Sequence, residues 1–193
     1  MYLFDKYTFI LASSSPRRRE LLKGLGLRLQ VVDKFHVCES YPKNLPKEEI
    51  AGYLANIKAD SCPHRLLDNE ILIAADTIVV CDNIIFGKPK TCEDAKDMLE
   101  RLSGREHKVI TGVTVVFNGK TYTFSETSTV NFNELSIDEI DHYIDEYKPF
   151  DKAGSYAIQE WIGFIGIKSI NGCYYNIMGL PLQKLYTLLK KIL

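Results

Sequence analysis

Apolar positions along this chain follow two rhythms. Thr8–Ala12 (TFILA), Leu27–Val32 (LRLQVV) and Ile71–Val80 (ILIAADTIVV) are apolar runs, which predict buried strands. Between them apolar residues recur at helical spacing. Ile50, Leu54 and Ile57 predict a helix over about 46–60, and Ala95, Met98, Leu99 and Leu102 predict another after Thr91. Ile137, Ile140 and Ile144 mark a third, and LPLQKLYTLLKKIL closes the sequence as a fourth.

Punctuation residues sharpen these bounds. Ser15 suits an N-cap and Pro16 a first helical position, so RRRELLKGLG continues as helix until Gly24 or Gly26. Thr91-x-x-Asp94 and Ser136-x-x-Glu139 each open a helix in capping-box form. Asn118-Gly119 joins two strands, KVITGVTVVF and KTYTFSETSTV, as a hairpin. A turn is expected at Asp82-Asn83, returning through IIF to Gly87-Lys88-Pro89. GFIGIKSING reads as a last strand, and 33–45 as polar and irregular. Helices alternating with strands, plus a hairpin, predict an α/β fold with a mixed sheet.

The 193 residues suit one domain spanning 1–193, and 46 % hydrophobic composition can bury a sizeable core. A formal net charge of −1 argues against a general nucleic-acid binder. The opening MYLFDKYTFILASSS lacks a basic leader, and Asp5 and Lys6 interrupt it, so it does not read as a secretory signal. No apolar run approaches ~20 residues, so no membrane span is expected. Five scattered cysteines without a Cys-x-x-Cys pair fit free thiols in a reducing cytoplasm.

Chemistry concentrates in a few places. In SSSPRRRELL a strand delivers the chain into a helix N-terminus, where unpaired N–H groups and the helix dipole favour an anion. Arginine adds a planar fork suited to phosphate. The same stretch also reads as a capped surface helix, although cations there oppose the dipole. Asp76 sets a carboxylate in an apolar strand, so it needs a cation, a metal or an exposed strand end. Lys88, between Gly87 and Pro89, is a point charge on a stiff loop, although a plain turn with an exposed lysine is the commoner explanation of such a tripeptide alone. Lys58 alone reads as a solvated helix residue and Glu39 as an ordinary loop acid. Converging, Glu39, Asp76, Arg17, Lys58 and Lys88 would form a metal–triphosphate site. There is no G-x-x-x-x-G-K-[ST] loop and no G-x-S-x-G elbow, and the four histidines lack metal-ligand spacing. His107 reads as a surface or strand-start residue.

Taken in order, LASSSPRRRELL, IKA at 57–59, AADTIVV, GKPK, LSGREHKVITGV, DKAGSYAIQ and NIMGLP resemble the Maf family of nucleotide pyrophosphatases over nearly the whole chain. The resemblance implies a central mixed β-sheet flanked by helices, with two lobes and a cleft between them. It implies metal-dependent hydrolysis of a nucleoside triphosphate to monophosphate and pyrophosphate, with Mg or Mn. Asp76 matches the proton acceptor of the ADT motif. Ser13, Arg17, Lys58 and Lys88 match substrate-binding positions, and Glu39 joins Asp76 as a metal ligand. Arg17, Thr77 and Gln159 match the subgroup preferring dTTP and UTP, and a glutamine amide can pair with the O4 and N3–H edge of thymine or uracil. Modified pyrimidine triphosphates are further candidate substrates. Glu160 stands where a small residue is common, and its carboxylate either alters the base pocket or faces solvent. The resemblance also implies a homodimer. A second function class, a non-catalytic nucleotide-binding regulator linked to septum formation, stays open.

Overall fold

The structure, a computed structural model, describes residues 4–33 and 35–193. Seven strands form one mixed sheet: β1 (Thr8–Ala12), β2 (Leu29–Val32), β3 (Glu70–Cys81), β4 (Ile84–Phe86), β5 (Glu106–Phe117), β6 (Lys120–Phe132) and β7 (Ile167–Asn171). Their order is β2-β1-β3-β5-β6-β7, with β4 attached to β3. β1 runs parallel to both β2 and β3, while β4 on β3 and β7 on β6 are antiparallel. The helices are α1 (Pro16–Gly24), α2 (Lys47–Asp60), α3 (Cys92–Leu102), α4 (Ile137–Tyr147), α5 (Trp161–Gly166), α6 (Tyr174–Ile177) and α7 (Leu182–Ile192).

The chain divides into two compact units, one of residues 1–76, 111–126 and 179–193, the other of residues 77–110 and 127–178. In the first, Ile10, Ala12, Leu72 and Ala74 of the parallel strands bury their side chains with Ala59 of α2. Helix α2 lies directly on β5: a Cβ at Gly112 would fall 2.2 Å from the backbone of Ala51 and Gly52. Any larger residue there would push the helix off the sheet. Asn56 Oδ1 accepts from the hydroxyls of Thr114 (2.9 Å) and Thr123 (2.7 Å), fixing α2 along its length as well.

The second unit packs Leu99 and Leu102 of α3, Ile140, Tyr143 and Ile144 of α4, and Ile162 of α5 against Val79, Val109, Val130 and Phe132. Both capping boxes form as the sequence predicts, Thr91 with Asp94 and Ser136 with Glu139. Asn118 and Gly119 have φ of 48° and 70°, the left-handed pair that a tight hairpin between β5 and β6 demands.

Three readings change. The GFIG half of GFIGIKSING is helical, not extended, and only Ile167–Asn171 pairs with β6. The reason is local: a Cβ at Gly163 would lie 1.9 Å from the Ile158 carbonyl oxygen, so this glycine allows a tight turn of helix to form on residue 158. Ile137 lies outside the apolar stripe of α4, where Tyr143 takes its place beside Ile140 and Ile144.

His107 stands at the start of β5, one of the two places expected for it, and is buried rather than on the surface. Its ring meets Phe132 and Tyr156 edge-on, and Nε2 lies 2.7 Å from the Tyr156 hydroxyl. Burial lowers its pKa from 6.5 to about 4. The unfolded chain therefore takes up this proton first, and stability contributed above pH 6.5 is lost as pH falls toward 4. The full window is worth about 3 kcal/mol. Urea midpoints measured from pH 7.5 down to pH 4 should fall steeply below 6.5, and His107→Leu should flatten that limb.

Candidate active site

The site grows from the junction of β1 and α1. Ser15 caps the helix, its Oγ accepting from the Arg18 amide at 3.5 Å. Ser13, two residues earlier, accepts from the Ser15 amide at 3.2 Å and from Arg18 Nη1 at 3.3 Å. Arg18 Nε donates to the Gly179 carbonyl at 2.9 Å, and the residue is only 9 % exposed. Burial lowers the Arg18 pKa; the carboxylates of Asp76 and Glu39 push it back up, and the neighbouring Arg17 charge opposes them. The three arginines are thus not equivalent. Successive helical residues rotate by about 100°, which turns Arg18 inward while Arg17 and Arg19 stay half-buried.

A buried guanidinium in reach of two carboxylates defines the rest of the cluster. Lys58 sits in the last turn of α2, where a cation suits the helix dipole. It is buried, not solvated as its helix position alone suggested. Its ammonium pairs with Asp76 Oδ1 and lies 2.9 Å from Glu39 Oε1. Asp76 interrupts a strand whose other positions from Glu70 to Ala75 are all buried, and Lys58 is the cation such a carboxylate requires. Glu39 comes from the irregular segment after β2, with its side chain 49 % exposed. Ser13, Glu39, Lys58 and Asp76 are therefore brought together within the first unit, and Arg18 joins them.

Two carboxylates gathered on one ammonium are hard oxygen donors, which fits a divalent cation of the Mg²⁺ class, usually held by one or two protein carboxylates plus substrate phosphates. Among the described residues there is no group of three or more His, Cys, Asp or Glu placed to hold a metal by protein ligands alone.

The second unit carries Thr77, Lys88 and Gln159. Thr77 follows Asp76 directly on β3, so the two side chains leave the strand on opposite faces. Lys88 is exposed on the loop between β4 and α3. That loop is held by the Gly154 amide, which donates to the Gly87 carbonyl at 3.0 Å. Gln159 is half-buried, and its Oε1 atom is buried with no hydrogen-bond partner among the described residues. Glu160 neither faces open solvent nor stands alone: it bonds Tyr143 and Lys152.

Sequence reasoning missed Arg18, Gly179 and Tyr143. The signal for Arg18 was present, three consecutive arginines after a cap, but which one faces inward depends on helix phase. Gly179 lies in NIMGLP, far along the chain from the arginine it receives.

A family model described as "Maf-like protein" matches residues 8–192. A protein of Phocaeicola vulgatus named dTTP/UTP pyrophosphatase is 52 % identical over 188 residues, covering 97 % of each chain. One of Bacteroides thetaiotaomicron with the same name is 50 % identical, again over 97 % of each. Among solved structures, the Staphylococcus aureus Ham1 protein aligns with a TM-score of 0.54 at 16 % identity, covering 95 % of this chain and 98 % of its own, a likeness of fold.

Proposed function

The chain belongs to the Maf-like protein family, and from that premise we infer that it hydrolyses dTTP and UTP to the monophosphate and pyrophosphate. The observation that carries the mechanism is the Asp76 carboxylate on an otherwise buried strand segment, paired with a buried lysine and acting on a buried arginine.

In this reading water attacks the α-phosphorus and gives its proton to Asp76. The new P–O bond forms as the bond to the bridging oxygen breaks, and pyrophosphate leaves with that oxygen. Arg18, Ser13 and the N–H groups at the start of α1 hold the phosphate chain. Lys58 offsets charge near the reacting phosphate, and Lys88 contributes a second ammonium from its stiff loop. Glu39 and Asp76 would hold a divalent cation, Mg²⁺ or Mn²⁺, which when bound neutralises phosphate charge. Arg17, Thr77 and Gln159 read the pyrimidine, the Gln159 amide pairing with its O4 and N3–H edge. Modified pyrimidine triphosphates share that edge and remain within the same substrate class.

No helix among the described residues is long and apolar enough to cross a membrane. The five cysteines are all free, which supports a reducing cytoplasm as the working compartment. A homodimer is the assembly the family resemblance carries.

Pyrophosphate release across dTTP, UTP, CTP, dCTP, ATP and GTP, with Mg²⁺ or Mn²⁺ and then with EDTA, tests the reading. Release favouring dTTP and UTP and abolished by chelation is expected. Preference for another base would overturn the Arg17–Thr77–Gln159 assignment. No release from any nucleotide by folded protein would favour the non-catalytic regulator.

A further inference from the structure

We propose that Glu160 is a positioning residue for base recognition, its carboxylate tying down the backbone that presents Gln159. The proposal rests on the reading of Gln159 as a base-contacting residue.

Tyr143 is fully buried at the centre of α4. Its hydroxyl donates to Glu160 Oε2 and accepts from the Ala157 amide at 3.2 Å. One phenol therefore holds the chain on both sides of Gln159. The second carboxylate oxygen, Glu160 Oε1, lies 3.3 Å from Lys152 Nζ, and that ammonium also bonds Asp151 Oδ1 at 2.8 Å. Lys152 is 6 % exposed, so its charge needs these partners.

The backbone closes around the same residues. The Glu160 amide donates to the Ala157 carbonyl at 3.1 Å, and the Glu160 carbonyl accepts from Gly163 at 2.8 Å as α5 begins. Gly163 comes so close to the Ile158 carbonyl that no side chain fits between. Residues 157, 158 and 160 are thus each fixed by a named contact.

Gln159 differs from its neighbours. Its backbone is carried by the clamp, while its Oε1 is buried without a partner among the described residues. Buried carbonyl oxygens are normally satisfied, so an unsatisfied one on a rigid support is an acceptor kept for a ligand donor. The imino N–H of thymine or uracil supplies such a donor; cytosine presents an acceptor at that position. A small residue at 160 would leave the Tyr143 hydroxyl and the Lys152 ammonium each short of the carboxylate they share. The charge at this position therefore serves the aim of Gln159 rather than touching the nucleotide.

The test compares Glu160→Gln, Tyr143→Phe and Gln159→Ala with the parent enzyme, reading kcat and KM for dTTP, CTP and GTP, with thermal melting as a check on folding. Tyr143→Phe keeps the ring that stacks on Tyr147 and removes only the hydroxyl. Both clamp variants should narrow the preference for dTTP over CTP by about tenfold, through a raised KM for dTTP and a smaller change in kcat. Gln159→Ala should narrow it at least as much. If the clamp variants keep the parent preference while Gln159→Ala loses it, the clamp is overturned and the reading of Gln159 stands. If Gln159→Ala keeps the parent preference, both fall. A uniform loss across all three nucleotides, with no change in their ratio, would make the clamp a stability element only and overturn the proposal.

Discussion

Asp76→Asn should lower pyrophosphate release from dTTP by about 10³-fold while nucleotide binding survives. The substitution keeps the shape of the side chain and its oxygen for Lys58, and removes the ability to take a proton from water. The Lys58 ammonium keeps its second partner, Glu39, at 2.9 Å, so the protein should stay folded. Removing a negative charge from beside a triphosphate should leave metal-free dTTP affinity equal or stronger, as read by calorimetry with EDTA present, where the loss of a metal ligand does not enter. Retention of more than about a tenth of the activity would remove Asp76 from the role of proton acceptor, since a positioned base contributes at least that much. A protein that only senses nucleotide would show no turnover to lose.

Arg18→Ala should be the next most damaging change, and Arg17→Ala should be much milder. Arg18 is buried, fixed through Nε to the Gly179 carbonyl and through Nη1 to Ser13, and acted on by Asp76 and Glu39. Its loss removes a preorganised fork for phosphate and leaves the Gly179 carbonyl without that donor. We expect kcat/KM to fall by about 10²-fold or more, with stability reduced by about 1–3 kcal/mol. Arg18→Lys should not rescue activity, because an ammonium cannot hold two oxygens in the plane of the lost guanidinium. Arg17→Ala should act on the preference among bases rather than on turnover of a good substrate. Parallel kinetics of the three variants decide this; a larger loss at Arg17 than at Arg18 would reverse the assignment.

Much of this was legible in sequence where the cause is local. The apolar strands β1 and β3, both capping boxes and the Asn118-Gly119 hairpin follow from residues within a few positions of one another. Asp76 announced itself because a carboxylate in an apolar strand demands a partner. Which partner was not legible: Lys58 lies 18 residues earlier, on a helix whose buried face is set by its close approach to Gly112. Arg18 was hidden for a similar reason, since the phase of α1 is fixed by the contact of its guanidinium with residue 179. The short apolar stretch GFIG carried no periodicity long enough to separate strand from helix, and the contact with Ile158 decided it. His107 and Glu160 became intelligible only through Tyr156 and Tyr143, which meet them across 49 and 17 residues of chain. Long-range polar pairs of this kind leave no spacing signal.

The central claim is that water adds to the α-phosphorus with Asp76 taking its proton. Hydrolysis of dTTP in ¹⁸O-labelled water, followed by mass spectrometry of both products, tests it most directly. The account predicts one ¹⁸O in the nucleoside monophosphate and none in pyrophosphate. Label in pyrophosphate, or release of inorganic phosphate in place of pyrophosphate, would contradict it.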